Sequence, residues 1–143
     1  MSGARFGSLL EGLPASPQPD ELFTTLAALP GLRIERIVST GQSSPDGFWY
    51  DQDWDEFVLL VAGAATLQVE GEDDRLLSPG DWALLPARTR HRVAATAAGE
   101  PTVWLAIHAG EPGNKQHRSG VEAGRSRMDW TDHRSHCAPP ICR

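Results

Sequence analysis

Very little in these 143 residues points to a membrane or an extracellular setting. The longest apolar run, Phe57 to Ala65, is far too short to cross a bilayer as a helix. The first residues, MSGARFGSLLEGLP, hold no sustained apolar region and no small-residue cleavage site, so no signal peptide is expected. Cysteine is limited to Cys137 and Cys142. With His133 and His136 they form H-x2-H-C-x4-C, which matches no zinc pattern. A cytoplasmic location is the default expectation. Basic charge is also scarce, since residues 1–110 carry seven Arg against fifteen Asp plus Glu. An acidic body lacks the face that nonspecific nucleic-acid binding requires, and the slightly basic remainder is too dilute to supply one. Neither a nucleic acid nor a membrane is expected as a partner.

What is present is an ordinary globular composition, 40% apolar and 22% charged, at a length that suits one core. Residues 1–19, with Pro14, Pro17 and Pro19, read as a flexible arm. Pro19-Asp20-Glu21 reads as a helix start with Asp20 the candidate cap, and Leu22, Phe23, Leu26 and Leu29 form one stripe. A short amphipathic helix is therefore expected up to Pro30-Gly31. From Leu32 the period becomes two. Short strands are expected at Leu32–Val38, Glu56–Ala62, Ala64–Glu70, Arg75–Leu77, Trp82–Leu85, Arg90–Thr96 and Thr102–Ala109. Gly, Pro and Asp turns separate them, which indicates an all-β sandwich or barrel over residues 20–110. After Gly110 the pattern collapses, and 111–143 read as a disordered tail.

The chain is organised around FWYDQDWDEFVLLVAG, residues 48–63, where a polar, acidic segment runs into an apolar strand. Glu56 stands six intervening residues before Gly63, and Tyr50 and Gln52 lie just upstream. Further on, Gly80 is followed after five residues by Pro86, with His91 beyond it. This pattern over residues 32–109 resembles the cupin superfamily, whose motifs are G-x5-H-x-H-x3–4-E-x6-G and G-x5-P-x-G-x2-H-x3-N. The resemblance implies a jelly-roll β-barrel. It differs from the family pattern at Tyr50 and Gln52, which replace the histidine pair, at Arg88 for the glycine after the proline, and at Ala95 for the asparagine.

By that resemblance, Gln52, Glu56 and His91 become candidate ligands for a divalent ion, with Tyr50 and His108 candidates for proton transfer. His108 is also a possible further ligand. An oxygen and nitrogen donor set without thiolate suits Mn, Fe, Ni or Zn. Alternation puts Glu56, Val58, Leu60 and Ala62 on one strand face and Phe57, Leu59 and Val61 on the other. A strand apolar on both faces needs cover on both. The expected helix and a second subunit could supply it, so a homodimer is expected. Arg88, Arg90 and Arg92 could hold an anionic substrate, but more readily pair with Asp51, Asp53 and Asp55. Three functions follow: a metal-dependent enzyme acting on a small polar molecule, a non-catalytic barrel binding a small ligand or metal for sensing or storage, or, more weakly, a structural or interaction protein whose cavity is packed solid. The substrate and reaction are not legible.

Overall fold

The period-two segments become eight strands in the computed structural model, which describes residues 3–110. They are β1 (Leu22–Leu29), β2 (Leu32–Ser39), β3 (Asp55–Ala62), β4 (Ala65–Val69), β5 (Arg75–Leu77), β6 (Trp82–Leu85), β7 (His91–Thr96) and β8 (Thr102–Ala109). Every pairing is antiparallel. One sheet has the order β1-β2-β8-β3-β6 and the other β5-β4-β7. Among the described residues no helix is long and apolar enough to cross a membrane.

The expected helix at Leu22–Leu29 is a strand instead. An isolated helix of two turns is marginal, because nucleation is costly and few bonds follow it. Folding back on β2 satisfies the same backbone groups across a two-residue turn, with Leu29 facing Leu32. Pro30 and Gly31, the latter at φ 71°, occupy the positions a type II turn assigns to them. The apolar stripe is no buried face: Leu22 and Leu29 are exposed, while Phe23 turns inward to line a cavity. The segment therefore does not cover the outer face of β3. There Phe57 stacks on Trp82, with ring centroids 5.6 Å apart.

Outside β1 and β2, the chain before Leu22 is irregular. Arg36 Nη1 donates to the carbonyls of Leu9 at 3.1 Å and Glu11 at 2.7 Å, and Gln18 N donates to Thr40 Oγ1. The expectations for 111–143, including those for Cys137 and Cys142, lie outside the described residues.

Val58, Leu60, Ala65, Leu67, Trp104 and Ala106 form the core between the sheets. Register carries the inward face across the larger sheet. Phe23, Ile37, Trp104 and Leu60 form one row, and Arg33, His108 and Glu56 another. Directly opposed residues of antiparallel strands share a face, so both rows point inward.

Gly63 ends β3 at φ 87°, where a Cβ would sit 2.6 Å from Thr102 Cα and 2.8 Å from the Pro101 carbonyl oxygen. Both neighbours are backbone and cannot swing aside. Gly63→Ala is therefore expected to lower unfolding free energy by about 2 kcal/mol or more in urea titrations. Gly47→Ala, at φ 81° with open space around it, should cost only the backbone term.

Candidate functional site

Two segments distant in sequence meet at one end of the barrel. Tyr50 N donates to His91 O at 2.7 Å, and His91 N returns a bond to Tyr50 O at 3.2 Å. Arg88 N donates to Gln52 O at 2.6 Å, and Ala87 N to Asp55 Oδ1 at 2.8 Å. These bonds lock the segment leading into β3 against the loop leading into β7. Arg88 stands where the cupin pattern has glycine, and it keeps the backbone that glycine favours, φ 69°. Its ion pair with Asp51, 2.9 Å, and its bond to Gln52 O help hold that conformation.

Tyr50, Gln52, Glu56 and His91 all line a single cavity of about 60 Å³. One water needs roughly 10–15 Å³ of such space, so the interior is not packed solid here. Glu56 and His91 are 7% and 6% exposed, and His91 Nε2 lies 3.6 Å from Glu56 Oε1. His91 Nδ1 is 2.9 Å from the Thr89 carbonyl, which can only accept, so Nδ1 carries a proton. In the neutral ring the Nε2 lone pair then faces Glu56. The Tyr50 ring stacks on the imidazole at 5.3 Å. Burial alone lowers the His91 pKa, but the Glu56 carboxylate, the Thr89 carbonyl and the Asp51 charge outweigh it, and the net shift is upward.

His108 is not a wall of this cavity. It shares the inward face with Glu56 but is fully buried, its Nδ1 accepting from Trp54 Nε1 at 2.9 Å and its Nε2 lying 3.4 Å from Glu35 Oε1. Arg33 closes the cluster with a 2.8 Å bond to Glu35 Oε2. Of the three arginines, only Arg88 pairs with an expected aspartate. Arg90 pairs with Glu70, and Arg92 bonds Gln68 Oε1 and the carbonyls of Ser44, Pro45 and Phe48. None of the three lines the cavity.

The cavity also holds a carboxyl that the sequence pattern assigns to a helix start. Glu21, the residue just before the edge strand β1, lines it, 9% exposed and bonded to the Ser39 hydroxyl. Burial lifts its pKa from 4.5 to about 7, and the Glu35 charge adds to that despite the opposing Ser39 bond. No spacing marks Glu21 in the sequence, because its inward placement depends on β1 being a strand.

The donor set can be tested against a divalent ion. Ligands held 2.0–2.2 Å from one ion stand roughly 3–3.6 Å apart, which the His91–Glu56 separation of 3.6 Å matches. A histidine that gives Nδ1–H to a backbone carbonyl and turns Nε2 inward has the orientation of a metal ligand. Among the described residues no group of three or more His, Cys, Asp or Glu side chains is arranged to hold a metal. Among the described residues lining the cavity, the Gln52 amide and the Tyr50 phenol are the oxygen groups beside this pair. The residues fit an ion with few protein ligands and open positions.

The cupin domain family model matches residues 36–108. A solved structure from Ralstonia eutropha JMP134, provisionally named a mannose-6-phosphate isomerase, is 50% identical, covering 75% of this chain and 99% of its own at a TM-score of 0.73. A cupin superfamily protein from Desulfitobacterium hafniense DCB-2 is 19% identical over 75% of this chain and 93% of its own, with a TM-score of 0.59. The protein TT1209 from Thermus thermophilus is 20% identical over 73% of this chain and 96% of its own, with a TM-score of 0.60. The latter two show likeness of fold alone. None of the curated proteins compared with the chain matches it.

A buried acid with a raised pKa binds its proton more tightly in the folded chain than in the unfolded one. Stability should thus fall as pH rises from about 5 to about 8, with Glu21 contributing roughly 2–3 kcal/mol of that fall. Urea unfolding across this range should show a shallower decline for Glu21→Gln than for the wild type.

Proposed function

Because the chain belongs to the cupin superfamily, we propose that its cavity is a divalent-cation site that binds a small oxygen-bearing molecule, with Glu56, His91 and Gln52 as the protein ligands. The observation that carries this reading is the His91 ring, fixed by Thr89 so that Nε2 faces the Glu56 carboxylate. When bound, such an ion polarises a ligand oxygen and lowers the proton affinity of a bound water. The chain's own groups do the rest. Thr89 holds the imidazole tautomer, Glu56 contributes negative charge, and Tyr50 walls the site with a ring stacked on His91. The apolar wall of Val58, Leu67, Leu85 and Val93 limits water around the polar cluster.

Mn, Fe, Ni and Zn all suit this donor set. An enzyme working through the polarised oxygen is the reading we favour, with non-catalytic ligand or metal binding as its alternative. A sugar phosphate is a poor match to the described lining: among the described residues no Lys or Arg lines the cavity, and two carboxyl groups do. The name given to the Ralstonia protein therefore does not define the substrate here.

Metal analysis of the full chain loaded with Mn²⁺, Fe²⁺, Ni²⁺ or Zn²⁺ tests the site. Near-stoichiometric metal is expected, with at least about a tenfold loss of affinity in His91→Ala and in Glu56→Ala. Folded His108→Gln should keep its metal. Wild-type protein that accepts none of the four ions would rule the reading out.

A homodimer is proposed as well, with the outer face of β3 and β6 as its surface. Trp82 is 62% exposed and Leu84 58%, beside the partly buried Phe57, and no other strand among the described residues packs over this face. Light scattering at micromolar concentration should give twice the chain mass, and Leu84→Arg should halve it. A wild-type monomer would count against the proposal.

A further inference from the structure

The cavity has a polar group at each end and an apolar waist between them. The row Phe23, Ile37, Trp104 and Leu60 crosses the inward face of the larger sheet. Glu56 stands four residues before Leu60 on β3, about 13 Å along the strand. Glu21 and Ser39 lie on the other side of the same row, two residues beyond Phe23 and Ile37 in the opposite direction. Glu21, Phe23, Ile37, Trp104, Val58 and Glu56 all line the one cavity.

The proton arrangement at the Glu21 end follows from donor chemistry. An indole N–H can only donate, and Trp104 Nε1 donates to Ser39 Oγ at 3.2 Å. The Ser39 hydroxyl proton is then directed onto its other partner, Glu21 Oε2. With Ser39 donating to Oε2, a proton carried on Oε1, the oxygen that Ser39 does not engage, can be offered to a ligand. Among the described charged groups, Glu35 on β2 acts on Glu21 and disfavours its ionisation, and Glu56 with His91 lie beyond the waist. Among the described residues no Lys or Arg side chain lines the cavity to stabilise a second carboxylate. Burial and this charge environment hold the acid protonated up to about pH 7.

We propose that Glu21 is a ligand-binding carboxylic acid, and that the cavity takes a short two-ended molecule: an oxygen donor such as a carboxylate at the Glu56–His91 end, an apolar middle against the waist, and a hydrogen-bond acceptor that receives the Glu21 proton. This rests on reading the Glu56–His91 end as a cation site. It narrows the ligand class from any small polar molecule to short oxo or hydroxy acids with the second oxygen several carbons from the carboxylate.

The test uses the Mn²⁺-loaded full chain and two probes, 4-oxopentanoate and pentanoate, which differ only in the distal ketone. Calorimetry at about pH 6 should show the keto acid binding roughly tenfold more tightly. At about pH 8 that preference should collapse, because an ionised carboxylate has no proton to donate. Glu21→Gln should keep the preference at both pH values through its amide N–H, and Glu21→Ala should lose it at both. Equal affinities in the wild type at about pH 6, or a preference that survives in Glu21→Ala, would overturn the proposal. Titration of Mn²⁺ alone reads the cation site separately. Normal Mn²⁺ binding without ketone preference condemns the role of Glu21, whereas absent Mn²⁺ binding condemns the cation reading and the two-ended ligand with it. Infrared difference spectra between about pH 6 and about pH 8 test the acid without any ligand. They should show a carboxylic acid carbonyl band lost in Glu21→Gln, and its absence from the wild type would also overturn the assignment.

Discussion

The site depends on a backbone clamp. The paired bonds between Tyr50 and His91, with the bond from Arg88 N to Gln52 O beside them, hold together two segments far apart in the chain. Glu56 sits on β3 and His91 on β7, in different sheets, and these bonds join the segments next to the two side chains directly. The clamp uses main-chain groups, so it tolerates side-chain change. That is why Tyr50 and Gln52 can stand where the cupin pattern has histidines while the geometry of the pocket persists. Arg88 makes the same point, since the left-handed backbone is kept although the glycine is not.

A second buried polar cluster supports the first. Trp54 can only donate to His108 Nδ1, which leaves the proton on Nε2 directed at Glu35, itself paired with Arg33. Each of these groups would be costly to bury alone, so the cluster is stable only as a whole. Its effect on the site runs through Trp54, which lies between Gln52 and Glu56 in sequence. By seating that indole in the barrel, His108 fixes the path of the chain that carries both candidate ligands. His108 thus shares the inward face with Glu56 but acts as an anchor rather than a wall of the cavity.

Much of the barrel was readable in the sequence, for a physical reason. Seven of the strands have short alternating runs closed by Gly, Pro or Asp, and the bounds of Arg75–Leu77, Trp82–Leu85 and Thr102–Ala109 agree with those observed. The turn glycines carry signals of their own, as at Gly63, where the Pro101–Thr102 backbone excludes any side chain. Leu22–Leu29 misled because its leucines fit a helical stripe, whereas its backbone partner is a neighbouring strand that no local pattern reveals. The cost of that error reached the site. With a helix at this position Glu21 becomes part of a helix start, and with a strand it becomes a buried acid in the cavity.

Spacing alone determined which residues could meet: Glu56 with Gly63, Gly80 with Pro86 and His91, and Tyr50 and Gln52 ahead of them. These intervals are properties of turns and strands, and local chemistry sets them. Tertiary structure decided what the meeting amounts to. It placed His108 in a sealed cluster, turned the arginines away from the cavity, and brought Glu21 into it from the far edge of the sheet. Each of those outcomes depends on which strands pair and on which charges lose water together, and neither is a property of any single stretch of chain.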